Sequence, residues 1–199
     1  MIKWGPEVIS SLDMTKALYG AYRLARADTG GMSYLNTSLE GFWQSFFAAV
    51  LVAPLFFLLL IIRFNVSDIG ASVLRFFALE GIAYVIGWIL FPLVVFYLAQ
   101  VLERERQYCG FIVAYNWASV LQNAIYLPFA ILFELGMVGG SSAELVNLTL
   151  LCLVLAYTWF VTKTALNVAG IVACGVVILD VGLWIIVNLL TASMLRLPV

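Results

Sequence analysis

Long stretches of mostly hydrophobic residues recur along the chain and predict five membrane-spanning helices. About 20 such residues are needed to cross the roughly 30 Å hydrocarbon core of a bilayer. The stretches lie at about 42–62, 76–101, 111–135, 145–161 and 165–190. The third is the most polar, and only residues 162–164 separate the fourth from the fifth. The pattern predicts an all-α integral membrane protein, a bundle of five transmembrane helices whose last two form a tight hairpin.

The first 41 residues follow a different pattern, so we divide the chain into a cytoplasmic N-terminal segment (1–41) and a transmembrane domain (42–199). Over about 11–27 the small and apolar residues recur at helical spacing and the charged residues fall opposite them, which predicts an amphipathic helix. The apolar face is formed by Met14, Ala17, Leu18, Ala21, Tyr22 and Ala25. Such a helix would lie on the cytoplasmic surface with Lys16, Arg23 and Arg26 near lipid phosphates. Alternatively, its apolar face packs on the ends of the protein's own helices.

Composition supports the membrane prediction and excludes several function classes. Hydrophobic residues make up 64% of the chain and charged residues 11%, against about 45–50% and about 25% in soluble domains. The net charge of -1 offers no basic surplus for nucleic acid. With no His and three scattered Cys, we expect no metal site and no cofactor. The motifs of intramembrane proteases and of phosphate-binding loops do not occur, so we expect no enzyme.

Lys and Arg are enriched on the cytoplasmic side of membrane proteins, and their distribution predicts the orientation. Seven of them fall in the N-terminal segment and in the loops that would share its side, and three fall on the other side. This predicts a cytoplasmic N-terminus and an external C-terminus.

A polar stripe runs along the third predicted span. Asn116, Ser119, Asn123, Tyr126 and Glu134 share one helical face, and Gln122 borders it. Because polar side chains facing lipid would go unsatisfied, the stripe must face other helices or water. Interhelical hydrogen bonds and a hydrated pathway both remain open.

Asp180 is the one acid near the middle of a predicted span, and no Lys or Arg lies at matching depth. We expect a neutral carboxyl that faces other helices, either bonded to Gln122, Asn123 or a backbone carbonyl, or acting as a proton relay or ion ligand. Trp184 and Asn188 continue its face, so we expect this side of the helix to face protein.

Charged residues also gather near the predicted outer boundary. Arg63 ends the first span, Arg75 and Glu80 begin the second, and Glu134 ends the third. They would form an ion-pair cluster, or each would extend separately to water.

The run Gly41–Pro54, GFWQSFFAAVLVAP, with Ser38-Leu39-Glu40 before it, resembles the first span of small uncharacterised inner-membrane proteins of proteobacteria. Their plan is similar to that of the Yip1 family, with a cytoplasmic N-terminal segment, five helices and a short outer C-terminus. The resemblance implies a bacterial inner membrane. The D-L-Y-G-P motif of eukaryotic members is absent, so it implies no role in vesicle trafficking.

Spans and short loops make up almost the entire chain, leaving the lateral surfaces of the helices to recognise a partner. We therefore expect a non-enzymatic accessory or assembly subunit that binds membrane lipid and other integral membrane proteins, or a second copy of itself. The alternative is a small proton-coupled transporter or permease that uses Asp180 and the polar stripe.

Overall fold

A computed structural model describes residues 9–66 and 70–196, and the regular structure of these residues is helical. The elements are α1 (Ser11–Ala25), a 3-10 helix (Thr29–Tyr34), α2 (Leu39–Ser45), α3 (Phe47–Val66), α4 (Val73–Val101), α5 (Glu105–Glu134), α6 (Gly140–Ala165) and α7 (Gly170–Arg196). The all-α prediction is confirmed for this part of the chain. Lys3, one of the cations counted for orientation, lies outside the described residues.

Within the described residues, four helical segments are long and apolar enough to cross a membrane, which is consistent with an integral membrane protein. They are Leu39–Val66, in which α2 and α3 follow one another, and α4, α6 and α7. The sequence predicted five. At 30 residues α5 is the longest of the described helices, but its amide side chains, Asn116, Gln122 and Asn123, make it less hydrophobic than the other four.

α5 occupies the centre of the bundle. It packs against α1, α2, α3, α4 and α6, whereas α7 packs against α4 and α6. Phe111, Ile112 and Ala114 of α5 are completely buried. The central place suits the most polar long helix, because neighbouring helices can satisfy side chains that lipid cannot.

Contacts at both ends show that neighbouring helices alternate in direction. At one end Arg63, in the last turn of α3, pairs with Glu134 at the end of α5, with 2.7 Å between Nε and Oε1. At the opposite end Arg104, just before α5, donates to the carbonyl oxygen of Asn167, between α6 and α7, at 3.2 Å. α5 therefore runs between the same two ends as the four apolar segments.

α1 packs on the protein's own helices, the second of the two surroundings considered for it. Ala17, Gly20, Ala21 and Leu24 are buried, and the hydroxyl of Tyr157 on α6 donates to the carbonyl oxygen of Ala21 at 2.6 Å. A location of α1 at a membrane surface stays a prediction.

The buried face of α1 is rotated from the predicted one. Tyr22 and Ala25 are exposed, and Leu24 is buried in their place. Small residues explain the rotation, since they let the backbone of α1 approach its neighbours closely while the bulky tyrosine points outward. At the 3-10 helix, a Cβ added to Gly31 would lie 2.4 Å from the carbonyl oxygen of Gly20.

The predicted hairpin turn at 162–164 is misplaced, because α6 continues through these residues to Ala165. Lys163 does not interrupt the helix, since its Nζ lies over the ring of Trp159, 5.1 Å from the centroid. The turn comes at 166–169, where Asn167 adopts a left-handed backbone with φ 52°.

Candidate functional site

Asp180 on α7 faces Tyr115 on α5, at the level where these two helices approach. The Tyr115 hydroxyl donates to the carboxyl group of Asp180, with distances of 2.9 and 3.1 Å to its two oxygens. The predicted partners, Gln122 and Asn123, bond elsewhere. Tyr115 was missed although it lies one turn before Ser119, beside the polar stripe, because an aromatic residue in an apolar run gives no polar signal.

The polar stripe joins α5 mainly to itself and to α6. Ser119 donates to the Tyr115 carbonyl oxygen at 2.9 Å, and Asn123 donates to the Ser119 carbonyl oxygen at 2.8 Å. Gln122 donates to the hydroxyl of Thr158 on α6 at 2.9 Å. These bonds end on backbone carbonyls or on α6, so they do not form a continuous chain of side chains along α5.

Asn116 joins the stripe to the junction between α2 and α3. It is fully buried, and its Nδ2 donates to the Ser45 hydroxyl at 2.9 Å. The same hydroxyl donates to the Phe42 carbonyl oxygen at 2.7 Å. Among the described residues the Oδ1 of Asn116 has no hydrogen-bond partner. The amide thus fixes α5 to the first apolar segment.

The last two residues of the stripe, Tyr126 and Glu134, have different surroundings. Tyr126 is 37% exposed, so it departs from the expectation that the stripe faces other helices. Glu134 accepts from Arg63, as described for the bundle ends. The turn after Asn123 marks where the stripe leaves the interior.

Three of the charges expected at the outer boundary lie together, and the fourth, Arg75, bonds to the end of α7. Arg63 pairs with Glu134, and Glu80 lies near enough to Arg63 to interact electrostatically. Arg75 donates to the carbonyl oxygen of Met194 at the end of α7. Arg75 therefore joins α4 to α7, while Arg63 joins α3 to α5.

The face of α7 that continues from Asp180 is uncovered within this chain, contrary to the expectation that it would face protein. Trp184 is 64% exposed. Asn188 is also exposed, and its Nδ2 donates to the Trp184 carbonyl oxygen at 2.8 Å. The reason is that α7 packs mainly against α4 and α6, which leaves its outer side open.

Arg23 is held in an ion pair at the end of α1. Its Nε lies 2.6 Å from the Oδ2 of Asp28, and its guanidinium lies over the Tyr34 ring, 5.3 Å from the centroid. The hydrogen bond with Asp28 raises the pKa of Arg23. The bond from Arg23 and a second from the Gly30 amide lower the pKa of Asp28. This pair closes the loop that leads into the 3-10 helix.

The other two predicted surface cations are more open. Arg26 lies over the Tyr22 ring, 5.8 Å from the centroid. Lys16 lies 3.9 Å from Asp13, and about half of each side chain is exposed. Of Lys16, Arg23 and Arg26, therefore, Arg26 is the one that forms no ion pair with a described carboxylate.

Metal ligands do not cluster in residues 9–66 and 70–196, where no group of three His, Cys, Asp or Glu could hold an ion. Comparison of the chain with family models, curated proteins and solved structures gave no match. Two features stand out in the described part of the chain: an internal hydrogen-bond network around α5 and an uncovered face on α7.

Proposed function

We propose that this chain is a non-enzymatic accessory or assembly subunit that binds another integral membrane protein through its helices. Asn188 is the observation that carries the proposal. It lies eight residues before Arg196, hence about 12 Å along α7 from that helix end, among exposed apolar side chains. Its bond to Trp184 uses one N–H, and the rest of the amide would face lipid unless a partner helix supplied a donor and an acceptor.

Trp184 strengthens this argument, because it extends the same surface by one turn. Large aromatic side chains supply much of the energy of protein interfaces. The partner is another membrane protein, and a second copy of this chain is the simplest case. The internal network around α5 supports the same function, since it serves to hold the bundle together.

Photo-crosslinking tests this proposal. A photoreactive phenylalanine analogue at Trp184 should yield a protein adduct in intact membranes, whereas the same group at Ile82, 57% exposed on α4, should react mainly with lipid. An adduct of twice the chain mass identifies a second copy. Equal yields of protein adduct at the two positions, or lipid adducts alone at Trp184, would contradict the proposal.

A matched pair of substitutions tests Asn188 itself. Asn188→Leu should reduce recovery of the partner after purification in mild detergent. Asn65→Leu is the control, because Asn65 makes the same kind of bond, to the Ile61 carbonyl oxygen at 2.7 Å, in the last turn of α3. Equal losses from both variants would show a general effect on the helices.

We further propose that α5 is the fifth span, with a cytoplasmic N-terminus in a bacterial inner membrane, as in the Yip1-like plan. The shared ends of α5 and the apolar segments support five crossings, and the seven-to-three distribution of Lys and Arg supports the orientation. Cysteines introduced at the exposed residues Ser33, in the N-terminal segment, and Ser141 should be labelled from opposite sides. Labelling from one side would overturn this topology.

A small proton-coupled transporter is the second candidate, favoured by the contact between Asp180 and Tyr115 inside the bundle. It is weaker because the hydrogen bonds of the stripe end on backbone carbonyls. Asp180→Asn should abolish proton flux in proteoliposomes if this function holds, and an unchanged flux would exclude Asp180 as the relay.

A further inference from the structure

The outward face of α1 combines apolar, aromatic and basic side chains. Leu12, Tyr19 and Arg26 follow one another at spacings of seven residues, on the side opposite the buried Ala17 and Ala21. Tyr19 is 48% exposed and Leu12 62%. This face is what α1 presents outward once its other side has packed on the bundle.

A shallow cavity of about 510 Å³ opens on this face. It is lined by Tyr19, Tyr22, Arg23, Arg26 and Asp28. The pairing of Arg23 with Asp28 cancels two of the three charges and forms one wall. Arg26 leaves the cavity with a net charge of +1, and its interaction with Asp28 is electrostatic and longer in range than that of Arg23.

Arg26 is also held in position. Its Nη1 lies 3.5 Å from the Tyr22 hydroxyl, and its guanidinium carbon lies 5.8 Å from the centroid of the Tyr22 ring. A guanidinium matches the geometry of a phosphate group, with two parallel N–H donors. The hydroxyl groups of Tyr19 and Tyr22 offer further donors at the same cavity.

We propose that this cavity binds the phosphodiester headgroup of an anionic phospholipid. Arg26 is the charged donor, while Arg23 only positions the wall of the site. Lipid, and not a soluble phosphate, is the source we favour because Leu12 and the two tyrosine rings continue the site as an apolar and aromatic surface, typical of the membrane interface.

α1 packs near one end of the bundle. Ala21 receives its hydrogen bond from Tyr157, which lies eight residues, or about 12 Å, from the end of α6 at Ala165. The outward face of α1 is therefore close to the helix ends, where headgroups lie when the helices span a bilayer. This proposal depends on membrane insertion but is independent of the proposed protein partner.

Native mass spectrometry of the full chain tests the site. The protein is released from nanodiscs that contain equal amounts of phosphatidylglycerol and phosphatidylcholine, and retained lipids are counted. We expect preferential retention of phosphatidylglycerol and a loss of about fivefold in Arg26→Gln, from about 1 kcal/mol per cation near a membrane. Equal retention of the two lipids would overturn the proposal.

Arg106→Gln is the matched control, because Arg106 is an exposed arginine at the start of α5 that does not line the cavity. Retention should change less than twofold in this variant. Equal losses from the two variants would mean diffuse attraction between charges, which overturns a site. Arg26→Lys keeps the charge but loses the paired N–H donors, so its retention should fall between those of the unmodified chain and Arg26→Gln. Unchanged retention in Arg26→Lys would mean attraction by charge alone and would overturn the site even if Arg26→Gln folds poorly.

A competition arm separates the two sources of phosphate. Glycerophosphate in excess should leave the retained phosphatidylglycerol unchanged, since it lacks acyl chains to contact Leu12 and the tyrosine rings. Displacement of the lipid by glycerophosphate would assign the cavity to a soluble phosphate and overturn the proposal.

Discussion

The contact between Tyr115 and Asp180 should stabilise the bundle by a measurable amount. We consider Tyr115→Phe, which removes only the hydroxyl, and Asp180→Leu, which removes the acceptor. A hydroxyl has one proton, so its two distances of 2.9 and 3.1 Å count as one shared hydrogen bond. Its loss is best measured as the coupling energy of a double-mutant cycle.

The magnitude follows from the surroundings of the pair. Hydrogen bonds between membrane helices average about 0.6 kcal/mol in such cycles, with a maximum of about 1.7 kcal/mol. Both groups are partly buried, and no other described residue donates a hydrogen bond to the Asp180 carboxyl. We therefore expect about 1–1.5 kcal/mol, with a smaller loss in Asp180→Asn because the amide oxygen still accepts from Tyr115.

The free energy of unfolding in mixed detergent micelles is the assay. The control cycle pairs Asp180→Leu with Tyr157→Phe, whose hydroxyl bonds to α1, and these two effects should add. A coupling energy below about 0.3 kcal/mol for Tyr115 and Asp180, the usual limit of additivity, would refute the reasoning.

Three further predictions concern other contacts. Gly31→Ala should destabilise the packing of the 3-10 helix on α1 by about 1–3 kcal/mol, seen as a lower melting temperature, whereas Gly81→Ala, with open space around its Cβ, should not. Arg63→Gln should cost about 0.2–1 kcal/mol because the pair is partly exposed, and exchanging the charges of Arg63 and Glu134 should restore most of the loss; no recovery would argue against the pair. The lowered pKa of Asp28 means that its stabilising contribution is present above about pH 4 and is lost as pH falls through that lowered pKa. The protection factor of the Gly30 amide that bonds to it, which corrects the exchange rate for its intrinsic pH dependence, should therefore fall on acidification, and a constant protection factor would contradict this.

The helices and their approximate ends were predictable because hydrophobic stretches of the required length have few other structures available in a bilayer. The observed helix ends differ from the predicted ones where side-chain contacts allow a helix to continue. α6 runs past Lys163 because the aromatic ring of Trp159 accommodates its charge. α5 was predictable as a helix, but its central place followed only from the packing of five other elements around it.

The site was less predictable, because periodicity shows which residues share a face and not which helix lies opposite. The stripe from Asn116 to Asn123 was identified by spacing, but the partner of Asp180 was not. Tyr115 contributes a hydroxyl from an aromatic side chain, and α5 and α7 are separated by 65 positions along the chain at this contact. The rotation of α1 was not predictable for a similar reason. Small residues such as Gly20 pack closely against a neighbouring backbone, but their low hydrophobicity does not mark that face as buried.

The position of α5 has a consequence for how the protein is made. A polar segment enters the bilayer poorly on its own, because each uncompensated amide or carboxyl group opposes insertion. The fixed partner of Asn116 is Ser45, and α1 to α4 all precede α5 in the order of synthesis. If α5 crosses the membrane as proposed, the helices that pack on most of its surface are already present when it leaves the ribosome, and its insertion depends on them. Truncation after α5 should still give a membrane-integrated product, whereas α5 fused alone to a reporter should fail to integrate.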